Sequence, residues 1–372
     1  MTYISQRLAS FGGTEFQEVF RKKTSLTNPI DLSVGITEDN TPAHIKAAGI
    51  QAIAANNTSY TATNGIHVLR HSIAEKLVRE NGLPANSDNV SVSPGLTTAL
   101  LMIYMALLDP GDEIIIIDPY YPPYVDVANA IGARAITVPT LPTFQLDLPA
   151  IESAVTKRTR AIVINSPNNP TGAVYDEASL TALAALAGNH GITVISDEIY
   201  EYFTYEKKHF SIGSIYPNTV TMNGFSKAYA MTGWRLGYVC GPREVIDAIN
   251  TLQQYIVFSS SSIAQHAGLA ALRAPLDLDV EKYRHKRNVA VEKLTSAGYV
   301  INGAEGAFYL YFQTPDNMDD AQFTEKAAAR NLLLIPGSAF SSGRTNMRLS
   351  YGVQMDILEK GLDILVELKR GN

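Results

Sequence analysis

Pro110-Gly111-Asp112-Glu113-Ile114-Ile115-Ile116-Ile117 is the stretch that decides the fold. A Pro-Gly-Asp turn delivers the chain into an unbroken isoleucine run, and a strand with no polar alternation is covered on both faces. Such strands belong to parallel sheets sandwiched between crossover helices. From about Asn89 to Cys240 the pattern repeats: Ala161 to Ile164, Ile192 to Ile195, Val220 to Met222 and Leu236 to Cys240 are predicted as further strands of that kind. Between them, Asp176 caps a predicted helix carrying Leu180, Leu183 and Leu186, with Gly188 as its stop. Ile66, Leu69, Ile73 and Leu77 form an amphipathic stripe ending near Gly82, and Leu358, Leu362 and Leu365 form another at the C-terminus. The fold class is therefore α/β with a mostly parallel central sheet.

The chain has 372 residues, more than one ordinary core accommodates, and 46% apolar against 18% charged residues supply a globular interior. The alternating pattern gives way near Leu276 to the charged stretch Glu281 to Arg287 and then to an α+β mixture. A large domain over 48–275 is expected, with a smaller α+β domain built from 276–372 and an N-terminal segment, 1–47. No repeat, heptad array or low-complexity tract occurs, and Ser259 to Ser262 reads as a loop.

Thirty basic against 36 acidic side chains leave a net charge of -6, which does not favour nucleic acid. Cys240 is the lone cysteine, so neither an intrachain disulfide nor a cysteine-rich zinc site is available and a reducing compartment fits. The longest apolar run, Ala99 to Leu108, is stopped by Asp109-Pro110-Gly111 at about half the length a membrane span needs. Arg7 and Glu15 sit among polar residues without the apolar core of a secretory signal. A cytoplasmic protein with no membrane or nucleic-acid partner is the expectation.

Several site types are missing. No histidine is followed by glutamate, and neither a Gly-x-Ser-x-Gly elbow nor a Walker-type loop occurs. His67 and His71 lie four apart on a predicted helix, but lack an acidic partner in the pattern and read as surface histidines, so no metal site is expected. Asp316, Asp319 and Asp320 lack the glycine and terminal glutamate of a calcium loop and read as helix-capping residues. Lys157, Arg158 and Arg160 precede a buried strand and read as its solvated entrance.

What remains is the run Asn223-Gly224-Phe225-Ser226-Lys227-Ala228-Tyr229-Ala230-Met231-Thr232-Gly233-Trp234-Arg235-Leu236-Gly237. With Asn165-Ser166-Pro167-Asn168-Asn169-Pro170-Thr171-Gly172, Ser196-Asp197-Glu198-Ile199-Tyr200 and Asn346-Met347-Arg348-Leu349-Ser350, its order and spacing resemble the class I/II aminotransferases. Tyr60 before Gly65, Pro94-Gly95-Leu96-Thr97 and Pro119-Tyr120-Tyr121-Pro122-Pro123-Tyr124 extend the resemblance over nearly the whole chain. The resemblance implies fold type I and pyridoxal 5'-phosphate as coenzyme.

It also implies roles. Lys227 would form the Schiff base, since a desolvated amine beside cationic groups loses its proton readily, and would then carry the substrate's Cα proton. Asp197 would pair with the pyridinium nitrogen and keep the ring an electron sink. Asn169 and Tyr200 would donate to the coenzyme's phenolic oxygen, and Tyr121 would stack on the ring. Gly95, Leu96 and Thr97, opening a predicted helix, would receive the phosphate with Arg235 and Ser226. Arg348 would clamp the substrate α-carboxylate, with Gly35, near a predicted strand Ile30 to Val34, and Asn169 lining the same cleft. A homodimer is implied, Tyr60 reaching the neighbouring site.

The chain departs from the family at Ile36-Thr37-Glu38-Asp39, where many relatives read Glu-Pro-Asp or similar. Thr97 stands where an acid-specific branch has a lysine, which argues against an aspartate preference, and Gly224 stands where some relatives have a phosphate-binding serine. The expected reaction is ping-pong transfer of an amino group from an L-amino acid to a 2-oxo acid. Its rivals are a pyridoxal-phosphate lyase on the same scaffold, by β-elimination or cyclopropane-forming elimination, and a non-catalytic sensor domain.

Overall fold

The computed structural model describes residues 5, 7, 14–341 and 343–371. The strands in chain order are β1 (Ile30–Asp31), β2 (Val90–Ser93), β3 (Glu113–Asp118), β4 (Arg134–Pro139), β5 (Thr159–Asn165), β6 (Thr193–Asp197), β7 (Thr219–Gly224), β8 (Gly237–Cys240), β9 (Tyr309–Gln313), β10 (Leu332–Leu333), β11 (Ile335–Pro336) and β12 (Asn346–Ser350). Seven of them form one sheet in the order β2-β8-β7-β6-β5-β3-β4.

The isoleucines of β3 divide as a doubly covered strand requires. Ile114 and Ile116 pack with residues of helices Leu96–Leu107 and Arg243–Ile256. Ile115 and Ile117 pack with those of Leu148–Ala154 and Glu177–His190 on the opposite face. Asp176 caps the last of these helices by accepting from the Ser179 amide, as predicted. The helix nevertheless runs past Gly188 and stops at Gly191, which adopts the left-handed conformation (φ 65°) and whose N–H closes the last turn on Ala187 and Gly188 carbonyls.

One expectation fails in direction. β3 to β7 are parallel, whereas β8 is antiparallel to both β7 and β2. Between Gly224 and Gly237 the chain holds only a single 3-10 turn, Thr232–Trp234, so with no crossover helix it must return antiparallel. That return sets Gly224 opposite Gly237, whose Cα would lie 2.9 Å from a Cβ at 224. Close backbone approach thus accounts for the glycine in place of a serine.

A second, antiparallel sheet has the order β11-β12-β9, and β1 pairs in parallel with β10. The predicted strand Ile30 to Val34 is regular only over Ile30–Asp31, although Leu32 continues by bonding Leu333 and Ser350. Leu358, Leu362 and Leu365, on helix Met355–Arg370, are fully buried against Phe308, Phe312 and Leu349. Ile66 precedes helix His67–Lys76, and a π-turn over Leu77–Asn81 leads to left-handed Gly82. Among the described residues no helix is long and apolar enough to cross a membrane, and Ala99 to Leu107 lies in a helix covering the sheet.

Candidate active site

In a parallel sheet the carboxyl ends of the strands share one edge, which is where ligand crevices form. Asn165 ends β5, Asp197 ends β6, and Lys227 follows the end of β7 at Gly224. A cavity of about 320 Å³ opens at this edge, lined by Gly35, Leu96, Thr97, Tyr121, Asn169, Asp197, Tyr200, Ser226, Lys227, Arg235 and Arg348. These eleven predicted residues therefore converge from separate regions of the sequence. Gly95 stands behind them: with φ at 83°, a Cβ here would lie 2.5 Å from Arg235 Nη2. Tyr60 is the exception, being 82% exposed with its ring on Phe258, centroids 4.5 Å apart.

Lys227 Nζ donates to the Gly35 carbonyl at 2.6 Å. Burial, followed by the nearby Arg348 guanidinium, draws its ammonium down to about 8, against the opposing pull of Asp197. Asp197 is buried, accepting from the Tyr124 hydroxyl at 2.8 Å and the Ile199 amide at 3.2 Å. Burial dominates and pushes its carboxyl up to about 6. A carboxylate desolvated to this degree, with no cation bonded to it, is complementary to a protonated ring nitrogen.

Arg348 is buried, donating from Nη1 to Asn169 Oδ1 at 2.8 Å and from Nη2 to the Ser33 carbonyl at 2.6 Å. Its Nε is buried without a partner, so one edge of the guanidinium retains a donor for a carboxylate. Because Asn169 spends its oxygen on Arg348, its amide hydrogens are what it offers to a pocket ligand. Tyr200 and Tyr309 share a hydrogen bond of 2.8 Å between their hydroxyls. Tyr121 packs edge-on against Tyr124, ring centroids 5.6 Å apart.

Gly95 is the N-cap of helix Leu96–Leu107 and brings no side chain to bond the first-turn amides. Those amides and the helix dipole face the same corner as Arg235. Arg235, itself left-handed (φ 54°), bonds the Thr232 carbonyl at 3.1 Å and has no carboxylate partner among the described residues. Anion donors at this corner, a desolvated carboxylate at Asp197 and an amine at Lys227, all at one cavity, suit the phosphate, ring nitrogen and aldehyde of pyridoxal phosphate, so the residues fit the group.

Tyr124, Asn165, Tyr309 and Phe16 also line the cavity and were not assigned from sequence. Tyr124 and Asn165 lie inside quoted motifs, which was their only signal. Asn165 is a spacer: its oxygen accepts from the Asn169 amide at 2.8 Å and its nitrogen donates to the Asp197 carbonyl at 2.9 Å. Tyr309 and Phe16 come from β9 and helix Thr14–Ser25 and have no local signature.

Elsewhere, His67 and His71 stack at 6.3 Å, and His71 does have an acidic neighbour, Glu75 at 3.4 Å, which one helical turn supplies. It is an exposed pair. Asp319 caps helix Asp320–Ala329, and Arg158 and Arg160 pair with Glu113 and Asp112 at the strand entrance. Glu198, Glu201 and His209 gather within 4.8 Å of one another, but Lys76 neutralises Glu201 while His209, Ser196 and Ser211 occupy Glu198.

The profile of the class I and II aminotransferase family matches residues 27–365. The chain is 40% identical over 344 residues to an aspartate/prephenate aminotransferase of Thermus thermophilus, covering 90% of this chain and 89% of that one. It is 32% identical over 375 residues to aromatic-amino-acid aminotransferase 2 of Thermococcus litoralis, covering 97% and 96%. The structure of aspartate aminotransferase from Thermotoga maritima superposes with a TM-score of 0.95 at 32% identity, over 99% of this chain and 100% of that one. Membership, fold and site chemistry agree: the chain belongs to the class I and II aminotransferases and is a pyridoxal-phosphate-dependent enzyme of fold type I.

Proposed function

We propose that the cavity at the carboxyl edge of the sheet carries out a ping-pong transfer between an L-amino acid and a 2-oxo acid, with Lys227 as its proton carrier. The observation that carries this reading is the placement of Lys227 in one cavity with Asp197 and Arg348. When bound, pyridoxal phosphate supplies an aldehyde to hold the substrate nitrogen and a ring to accept the electrons released at Cα.

Arg348 binds the α-carboxylate, so that the Cα–H bond lies where the Lys227 amine can reach it. Lys227 Nζ, its ammonium drawn down to about 8, takes that proton and returns it. Asp197 holds a proton on the ring nitrogen, and Tyr124 and Asn165 fix Asp197 in place. Asn169 and Tyr200 donate to the phenolic oxygen, Tyr309 orienting the Tyr200 hydroxyl. Tyr121 covers the ring, and Gly95, Leu96, Thr97, Ser226 and Arg235 receive the phosphate.

The 48–275 region forms the large domain in this reading, and 1–47 with 276–372 the small one, so the site closes between them. A homodimer is supported by the apolar exposure of Ile50 (67%), Ile53 (54%), Tyr60 and Tyr255 (83%), and Tyr60 then reaches the phosphate of the second copy. A cytoplasmic location is supported by the single, buried cysteine. The relatives are named for aspartate, prephenate or aromatic amino acids, so membership leaves the substrate side chain open.

Borohydride reduction of the coenzyme-loaded protein, followed by peptide mapping, is expected to label Lys227, and Lys227→Ala to abolish transfer. Label at another lysine, or release of ammonia and pyruvate without amino transfer, overturns the reading.

A further inference from the structure

We infer that the amino acid bound at this site carries a neutral, apolar or aromatic side chain rather than a second carboxylate. The inference rests on the reading of Arg348 as the α-carboxylate clamp and names the class of substrate that clamp presents.

A dicarboxylic substrate brings two carboxylates, and the cavity offers a free cation for only one of them. Its lining holds three cationic side chains, Lys227, Arg235 and Arg348. The first must act as a neutral amine to take up the Cα proton, the second faces the phosphate corner with the first-turn amides, and the third takes the α-carboxylate. The residues outside the description (1–4, 6, 8–13, 342 and 372) include no lysine, arginine or histidine, so they cannot supply a fourth.

Nearby lysines are already spent. Lys286 pairs with Glu38 at 2.6 Å and Lys282 with Glu38 at 3.0 Å and with Asp39 at 2.5 Å. These pairs also tether the acidic end of the Ile36-Thr37-Glu38-Asp39 segment to helix Val280–Ser296, away from the cavity that Ile36 lines. Beside its polar groups the cavity also presents aromatic and aliphatic surface from Phe16, Ile36 and Tyr309. Phe16 lies 5.9 Å from the Arg348 guanidinium and Tyr309 4.5 Å from it. Ile36 follows the residue whose carbonyl holds Lys227 Nζ and is 46% exposed, an apolar side chain at the cavity wall with open space beside it.

In the proposed dimer the segment that carries Tyr60 brings no charge with it. The exposed apolar surface around Tyr60, Tyr255 and Phe258, which would meet its partner in the proposed dimer, comes from two segments without charge. No Lys, Arg, Asp or Glu occurs from Ala47 to Ile66, nor from Ala248 to Gln265. A distal carboxylate would thus meet no counter-charge, while an aromatic or branched aliphatic group would meet carbon.

The test is a single-turnover reaction of the coenzyme-loaded enzyme with phenylalanine, leucine, aspartate and glutamate, followed by the change in coenzyme absorbance, so that no acceptor enters. Phenylalanine or leucine is expected to exceed aspartate and glutamate in kcat/KM by at least about tenfold. Equal or faster reaction of either acidic amino acid overturns the inference while leaving the aminotransferase reading intact. Failure of all four, with the coenzyme attached at Lys227, overturns that reading and the inference with it. Ile36→Lys is a second probe: a rise of about tenfold or more in the aspartate-to-phenylalanine ratio supports the placement of Ile36 beside the substrate side chain, and an unmoved ratio overturns it.

Discussion

Replacing Asp197 by asparagine should stabilise the coenzyme-free protein while weakening its hold on the coenzyme. The carboxyl is buried at the end of β6 and its proton affinity is raised from 3.8 to about 6, chiefly by desolvation. At about 1.4 kcal/mol per pH unit, ionised Asp197 costs the folded chain about 3 kcal/mol at pH 7.5. The folded state holds this proton more tightly than the unfolded state. Stability therefore falls as pH rises through the window from about 4 to about 6, and the full penalty applies above it. Asparagine removes the charge and keeps both contacts, its oxygen accepting from the Ile199 amide and its nitrogen donating to the Tyr124 hydroxyl.

For a chain of this length the gain corresponds to a rise in Tm of about 4 °C in the apo form. The assay is thermal unfolding of apo wild type and Asp197→Asn at several pH values, beside coenzyme titrations of both. The stabilisation is expected to shrink to about a third at pH 4.5, where folded Asp197 is already protonated. Coenzyme affinity is expected to drop at least about tenfold, because the ring nitrogen loses its counter-charge. An apo variant less stable than wild type at pH 7.5, or a gain independent of pH, refutes the account of Asp197 as a desolvated carboxylate awaiting a cation.

Two further outcomes follow from the same pocket. Attachment of pyridoxal phosphate to the apo protein at Lys227 should accelerate with rising pH with a midpoint near 8 rather than the ordinary 10.5, as the amine loses its proton; a midpoint above about 10 contradicts the desolvated environment. Arg348→Lys should lower kcat/KM for amino acids about 10²- to 10³-fold, mainly through KM, because a point charge cannot replace a buried fork; amines lacking an α-carboxylate should react as before, and equal losses on both substrate types would remove Arg348 from the clamp.

The chemistry was legible because each step constrains residue type over a short stretch. In the proposed reaction Lys227 shares a loop with Arg235, Asp197 ends a buried strand, and Gly95 opens a helix without filling the corner beside Arg235; each placement leaves a local spacing in the chain. The doubly covered strands were legible for a similar reason, since Ile114 to Ile117 admit no solvent face.

Tertiary structure decided the rest. The direction of β8 depends on a missing crossover helix rather than on its own residues, and hydrophobic pattern is the same in either direction. Tyr309 meets Tyr200, and Phe16 meets Arg348, across long loops of chain whose contacts no local pattern encodes. The sequence by itself determined which reactive groups this protein owns, because bonding and charge are properties of residue types. Only the folded chain decided which apolar side chains wall them in, because packing is a property of elements distant in sequence.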